Sequence, residues 1–304
     1  MNRQFWIMVK QFLLFLLLSQ GIMAIGMVAA LIGPIHKGLD EEAAMEQAMD
    51  SKITICTIIL GYLVTIAVFL GKRYVRISTG RIDHSSLWKM AGMAALIAWG
   101  WMFTEISILQ LVDAENLFPD EAEELEQLGK LMGGALGGIA VGILAPIAEE
   151  IGFRGVLMGG LLRMRCHPWV AIAVSAIVFS FFHGTHLQLL GTMVFGSISG
   201  WLYWRTRSLI PSMIIHIVNN STAVVLEMTF PDEEPGKKLC VLFIVVFLPL
   251  LLIGLNWFKH GRYLPQYLEL ATLRKRFLLQ RVDVVVDLEG GVALVLQQLL
   301  LGKR

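Results

Sequence analysis

For most of its length the chain alternates long apolar runs with short polar stretches, and the runs are too long and too evenly apolar for the one-sided stripes of a soluble helix. A helix needs about 20 apolar residues to cross the hydrocarbon core, where only intrahelical bonds satisfy the backbone. Eight segments meet that description: Phe12 to Ile35, Ile53 to Leu70, Met90 to Val112, Leu131 to Leu162, Trp169 to His183, Leu187 to Trp204, Leu209 to Leu226 and Leu239 to Trp257. The pattern predicts an all-α fold, a polytopic transmembrane helix bundle of about eight spans. The first run follows Arg3 and Lys10 but exceeds the roughly 7–15 apolar residues of a signal peptide, so it is expected to stay as an anchor.

The polar stretches sort by charge. Lys72, Arg73, Arg76, Arg81 and Lys89 fall between the second and third runs, and "RMRCHP", "RTRS" and "KHGR" follow the fourth, sixth and eighth. The intervening connections, "LDEEAAMEQAMD", "DAENLFPDEAEELEQL" and "PDEEPGKK", are mostly acidic and read as solvated exterior surface. Basic loops stay on the cytoplasmic side. The expected protein is therefore multi-pass and integral, in the cell membrane, with both termini cytoplasmic.

Composition agrees: 56% of the 304 residues are hydrophobic, 16% are charged, and the mean hydropathy is +0.68, far from a soluble domain. No basic block accompanies the net charge of +1, which argues against a nucleic-acid partner and leaves the bilayer and a membrane-associated molecule as the expected partners. The three cysteines, Cys56, Cys166 and Cys240, fit no metal or disulfide spacing. Two glycine patterns, "GGALGG" at Gly133 to Gly138 and "GSISG" at Gly196 to Gly200, have the spacing that lets helices approach closely. After Lys259 the chain reads as a basic amphipathic stretch to Phe277, then as two short strands or a short helix around Glu289 to Gly291.

Several polar groups stand inside the runs: Glu105, Glu149, Glu150, Arg154, His183, His216, Asn219 and Asn220. A charged group at the centre of a span costs roughly 2.5–3.5 kcal/mol on insertion scales, so each needs a partner or a hydrated cavity. At about 1.5 Å per residue, Glu150 (14 residues before Met164) and His183 (15 residues after Pro168) both lie roughly 20 Å from the basic edge. His216 and Asn220, nine and 13 residues beyond Arg207, lie about 14 and 20 Å in. Glu150 and Arg154 are four residues apart and can pair, which on an α-helix turns Glu149 to another face. His216 and Asn220 share the same spacing, as do Phe179 and His183, whose ring can wall a pocket beside the imidazole. Pro146 removes a backbone bond to Gly142 just before the acidic pair, and a kink there could admit water. Glu105, His186 and Asn219 read as packing or surface residues. A carboxylate, two imidazoles and an amide at one depth fit general acid–base chemistry.

These residues resemble a known family. "EEIGFR" (Glu149 to Arg154) is similar to an EExxxR motif, "FSFFH" (Phe179 to His183) to FxxxH, and "HIVNN" carries HxxxN as His216 to Asn220. All three stand in order as in the CPBP family, the CAAX protease and bacteriocin-processing group that includes the type II CAAX prenyl endopeptidases. The resemblance covers about residues 130–226 and suggests a division into a three-span region 1–129, a catalytic core 130–226, a last span 227–258 and a cytoplasmic tail 259–304. It implies an intramembrane endopeptidase, open toward the cytosol, that hydrolyses a peptide bond in a membrane-associated protein or peptide. Carried over, Glu149 and His183 would activate water, His216 and Asn220 would hold the oxyanion, and Glu150, Arg154 and Phe179 would support them. Glu149, His183 and His216 could also hold zinc, a role often given to the family, or work without any metal. A non-proteolytic scaffold of the same fold is the alternative from another class. A proton-coupled transporter is the third, but no matching broken helix marks a second repeat.

Overall fold

The computed structural model describes residues 3–49, 51–78, 80, 86–119, 121, 134–183, 185–230 and 235–261, all within one compact unit that runs from Met1 to Tyr263. The tail readings, Arg81, Gly133 and the start of the fourth run lie outside the described residues. A helix stands at each of the eight predicted runs: α1 (Arg3–His36), α3 (Lys52–Gly71), α4 (Leu87–Leu111), α5 (Ala135–Arg163), α6 (Pro168–Phe181), α7 (His186–Thr206), α8 (Ile210–Thr229) and α9 (Lys237–His260). Five of them, α1, α3, α4, α5 and α9, are long and apolar enough to cross a membrane. The other three are either short, as α6 with 14 residues is, or carry the polar residues of the candidate site, as α7 and α8 do. Five apolar helices in an otherwise helical chain mark an integral membrane protein.

The first acidic connection is itself helical. In α2 (Glu41–Met49) Asp40 accepts a bond from the Ala43 N–H at 2.9 Å, acidic residues fill the first turn, and Ala44 and Ala48 are buried. Alanines at i and i+4 gave a seating face too small to register as an apolar run.

Packing draws the parts that the motif pattern leaves out toward those it includes. α9 lies along α4, where Gly100 meets the Leu251 backbone and Gly254 meets Ile97, and Trp99 of α4 donates to Thr222 of α8 at 3.0 Å. From α1, the Phe12 and Phe15 rings each stand 5.6 Å from Phe153 of α5, which in turn stands edge-on to Phe179 of α6 at 5.1 Å. The Phe15 ring occupies the space over Gly152 that any larger residue would need. The first span is thus part of the wall that holds the Glu149–Arg154 segment.

α5 is not a uniform α-helix. Two stretches, Ala140–Leu144 and Glu150–Met158, are wound as π-helix, with the short α segment Ala145–Glu149 between them. Such widened turns concentrate at functional sites. Pro146 is the second residue of the α segment and has no N–H for the Gly142 carbonyl. Ser221 of α8 takes that place: its hydroxyl donates to Gly142 O at 3.0 Å, while Asn220 Nδ2 reaches Val141 O at 3.3 Å. The expected break in the ladder is therefore present but covered by a neighbouring helix. Replacing Ser221 with Ala is expected to lower stability by about 1–3 kcal/mol, the cost of stranding a buried carbonyl. Thermal unfolding of the purified chain in detergent measures this, and an unchanged midpoint would mean another donor covers Gly142.

Candidate active site

Three helices build the site. α5 supplies Glu149, Glu150 and Arg154, α7 supplies Ser199 and the Gly196 carbonyl, and α8 supplies His216. Arg154 Nη1 lies 3.0 Å from Glu150 Oε1, and both side chains have 0% exposure. Ser199 donates to the other oxygen, Oε2, at 2.8 Å, and His216 Nδ1 lies 3.1 Å from Oε1. Arg154 Nη2 also donates to Gly196 O at 3.2 Å, and its guanidinium sits 4.5 Å from the centre of the Phe179 ring. Gly196 is what permits this contact, since a Cβ there would stand 3.2 Å from Ala176 and 3.3 Å from Arg154 Nη2. Two buried ions carry a large desolvation cost that only near-complete pairing offsets, and Glu150 has a partner at each oxygen.

His216 joins the two carboxylates. Its Nδ1 faces Glu150 and its Nε2 lies 3.7 Å from Glu149 Oε2, with His216 3% exposed and Glu149 20%. The sequence-based expectation that Glu149 turns away from Glu150 is corrected here. An α-helix turns about 100° per residue, but the two adjacent carboxylates are long enough to reach the two nitrogens of one imidazole set between them. Phe195 of α7 stands edge-on to His216 at 5.1 Å and fixes the plane of the ring.

His183 is placed differently from the expected span. α6 ends at Phe181 and His183 lies in the turn beyond it, half-buried, with Nδ1 2.9 Å from the Phe179 carbonyl. No ion pair within 4.0 Å joins it to Glu149 or Glu150 among the described residues. Phe179 nevertheless links the two histidines: its ring is 4.5 Å from that of His183 and 5.8 Å from that of His216. Asn220 holds the α5 backbone through Val141 and accepts from Asn219 Nδ2 at 3.3 Å, so Asn219 is a neighbour of the amide and not merely a contact between helices.

The donor set does not fit a metal. Glu149, His183 and His216 do not converge, and among the described residues no group of three His, Cys, Asp or Glu side chains is placed to hold an ion. The metalloprotease reading is therefore not supported by the geometry.

The other polar residues settle elsewhere. Glu105 of α4 presses its carboxylate against Gly191 of α7 beside Trp101, and His186 meets Glu121 at 2.5 Å near the surface and stacks on Phe118. Sequence reasoning missed Ser199 and Tyr62. Ser199 lies inside the "GSISG" stretch and was legible as a hydroxyl within a span. Tyr62 of α3 packs with Ala145 and Ala148, close enough to Glu149 to feel its charge, and carried no signal beyond its residue type.

Residues 132–222, which hold all three motifs, match the family model described as type II CAAX prenyl endopeptidase Rce1-like. The chain is similar to the UPF0177 protein YxdF of Lactococcus lactis subsp. lactis (strain IL1403), 30% identical over 77 residues, or 25% of this chain and 41% of that one. It is also similar to the "Putative membrane peptidase YdiL" of Bacillus subtilis (strain 168), 28% identical over 90 residues, or 30% of this chain and 36% of that one. The chain thus spans about two-fifths of the length of the curated relatives it matches. No solved structure matches it. The resemblance to the group that includes the type II CAAX prenyl endopeptidases is borne out over this segment.

Proposed function

We propose that the protein is an intramembrane endopeptidase that hydrolyses a peptide bond in a membrane-associated protein or peptide. The observation that carries the reading is the contrast between the two adjacent glutamates. Glu150 is sealed and fully partnered, whereas Glu149 stays partly exposed at the end of a chain of contacts that runs Arg154, Glu150, His216. A carboxylate held open beside a fixed imidazole is suited to take a proton from water. Glu149, with His183 from the neighbouring wall, activates the water. His216 and Asn220 face the developing oxyanion. Glu150, Arg154 and Phe179 are positioning residues: they hold His216 so that, as an imidazolium, Nδ1–H donates to Glu150 and Nε2–H remains for the oxyanion.

Proton flow is simple on this reading. Water gives a proton to Glu149 as its oxygen attacks the carbonyl, His216 donates to the oxyanion, and the amine leaves with the proton that Glu149 returns. Residues 130–226 act as the catalytic core, with 1–129 and 227–258 as its flanking spans and the stretch from 259 as a cytoplasmic tail. The basic connections support a reading in which the protein lies in the cell membrane with the site's open side toward the cytosol and both termini cytoplasmic.

The test is cleavage of a panel of lipidated and unlipidated fluorogenic peptides by the purified protein in detergent, with and without a zinc chelator. Wild type is expected to cleave at least one class in the presence of chelator, and Glu149→Ala is expected to be inactive on it. Cleavage that Glu149→Ala retains would refute the mechanism. Cleavage lost to the chelator and restored by zinc would overturn the metal-free reading alone.

A further inference from the structure

Three of the basic connections that fix the predicted orientation meet at one place. Arg73 and Arg76 follow α3, Arg163 ends α5, and Arg207 follows α7; all four line a cavity of about 280 Å³. Its floor is made by Val75, Gly155 and Leu209, all buried, so the cavity abuts the same π-wound stretch of α5 that carries Arg154. Orientation in the membrane explains why these connections are basic. It does not explain why four guanidinium groups from three separate connections surround one hollow.

The hollow is built, not incidental. Ser208 donates to the Ser78 carbonyl at 2.6 Å, tying the loop after α3 to the turn between α7 and α8. Gly80, in the left-handed region at φ +57, lies against the Arg207 carbonyl, where any side chain would collide. Arg73 (φ 56) and Arg207 (φ 54) also occupy left-handed positions, where glycine is the unstrained residue. Over Gly159, the Tyr203 hydroxyl and Arg163 Nη1 converge: a Cβ there would stand 3.1 Å from one and 3.3 Å from the other. Among the described residues no carboxylate lines the cavity, and none pairs with Arg73, Arg76 or Arg163.

We propose that this cavity is a binding site for a phosphate group, presented either by a soluble phosphate or by the headgroup of a phosphomonoester lipid. Converging guanidiniums favour the multiply charged, many-acceptor phosphate over a singly charged carboxylate, because each arginine can donate a bidentate pair and phosphate has oxygens for more than one. Tyr203 O–H adds a neutral donor. The position at the basic ends of α5 and α7 is the level at which lipid headgroups lie, and the open rim is equally accessible to a solute. The site is separate from the Glu149 chemistry, and its occupancy is measurable in a protein with no peptidase activity.

The test uses the full chain. In one arm, protein in a non-ionic detergent is titrated with inorganic phosphate at constant ionic strength, following heat or the unfolding midpoint. In the other, protein in phosphatidylcholine nanodiscs with or without phosphatidic acid is examined by native mass spectrometry for retained lipid. Saturable binding is expected, weakened about tenfold or more by Arg163→Gln and by Arg76→Gln, as befits loss of a charge-assisted bond. Arg165→Gln, which removes an equal charge two residues from Arg163 but outside the cavity, is expected to leave it unchanged. Binding in the first arm identifies a soluble phosphate as sufficient, and binding in the second arm alone identifies the lipid headgroup. Saturable binding in neither arm would overturn the proposal, as would an Arg165→Gln loss equal to that of Arg163→Gln, since that would be diffuse attraction to a basic face.

Discussion

Glu149→Gln is expected to lower peptide hydrolysis by about 10²–10⁴, the range for loss of a positioned general base, while moving the unfolding midpoint little. The side chain is 20% exposed and its contact with His216, at 3.7 Å, is longer than a hydrogen bond, so little of the fold depends on its charge. Glutamine keeps the shape and removes the proton acceptor. The neighbouring substitution, Glu150→Gln, is expected to behave in the opposite way in one respect: it too lowers activity, because His216 loses a charged acceptor on Nδ1, but it also lowers stability. Parallel rates and unfolding curves for the two variants separate a group that reacts from one that positions. A Glu149→Gln protein with near wild-type turnover would move the base to another residue, with His183 the next candidate in the same wall.

The membrane-spanning architecture was legible because the energetics of the bilayer write themselves into composition: a helix stands at each predicted run among the described residues, and the apolar length of α1, α3, α4, α5 and α9 is sufficient for crossing. The depth estimate set Glu150 and His183 roughly 20 Å in and His216 about 14 Å in, and the structure brings His216 to within 3.1 Å of Glu150. Facing direction was another matter. Adjacent positions were read as opposite in facing, whereas the side chains of Glu149 and Glu150 both reach His216. Helix ends failed similarly at His183, because a residue two positions past Phe181 looks the same in a hydropathy pattern as one inside the span. What could not be read at all were partners supplied by distant segments. Phe12 and Phe15 carry no mark of their role against Phe153, and Ser221 none of its role opposite Pro146.

The largest loss of stability is expected for Arg154→Leu. Arg154 and Glu150 are both fully buried, and the guanidinium holds the Glu150 carboxylate, the Gly196 carbonyl and the face of Phe179 at once. Removing one member of such a pair leaves an uncompensated charge in a low-dielectric interior, a cost of about 3–5 kcal/mol. His216 and Ser199 still touch the carboxylate, which limits the loss but does not restore the guanidinium's contacts with Gly196 and Phe179. Combining Arg154→Leu with Glu150→Gln removes the stranded charge and is expected to recover a large part of the stability, because a buried pair exchanged for uncharged groups of similar volume is often close to neutral. The double-mutant cycle should then report a coupling toward the upper end of the ~0.5–3 kcal/mol found for residues in contact. Activity is not expected to return with stability. With Glu150 neutral, His216 has lost the anion that orients it, so the double variant should be folded and slow. If the two single losses simply add, the ion pair is not what holds α5 against α7, and the aromatic wall of Phe153 and Phe179 must carry that contact instead.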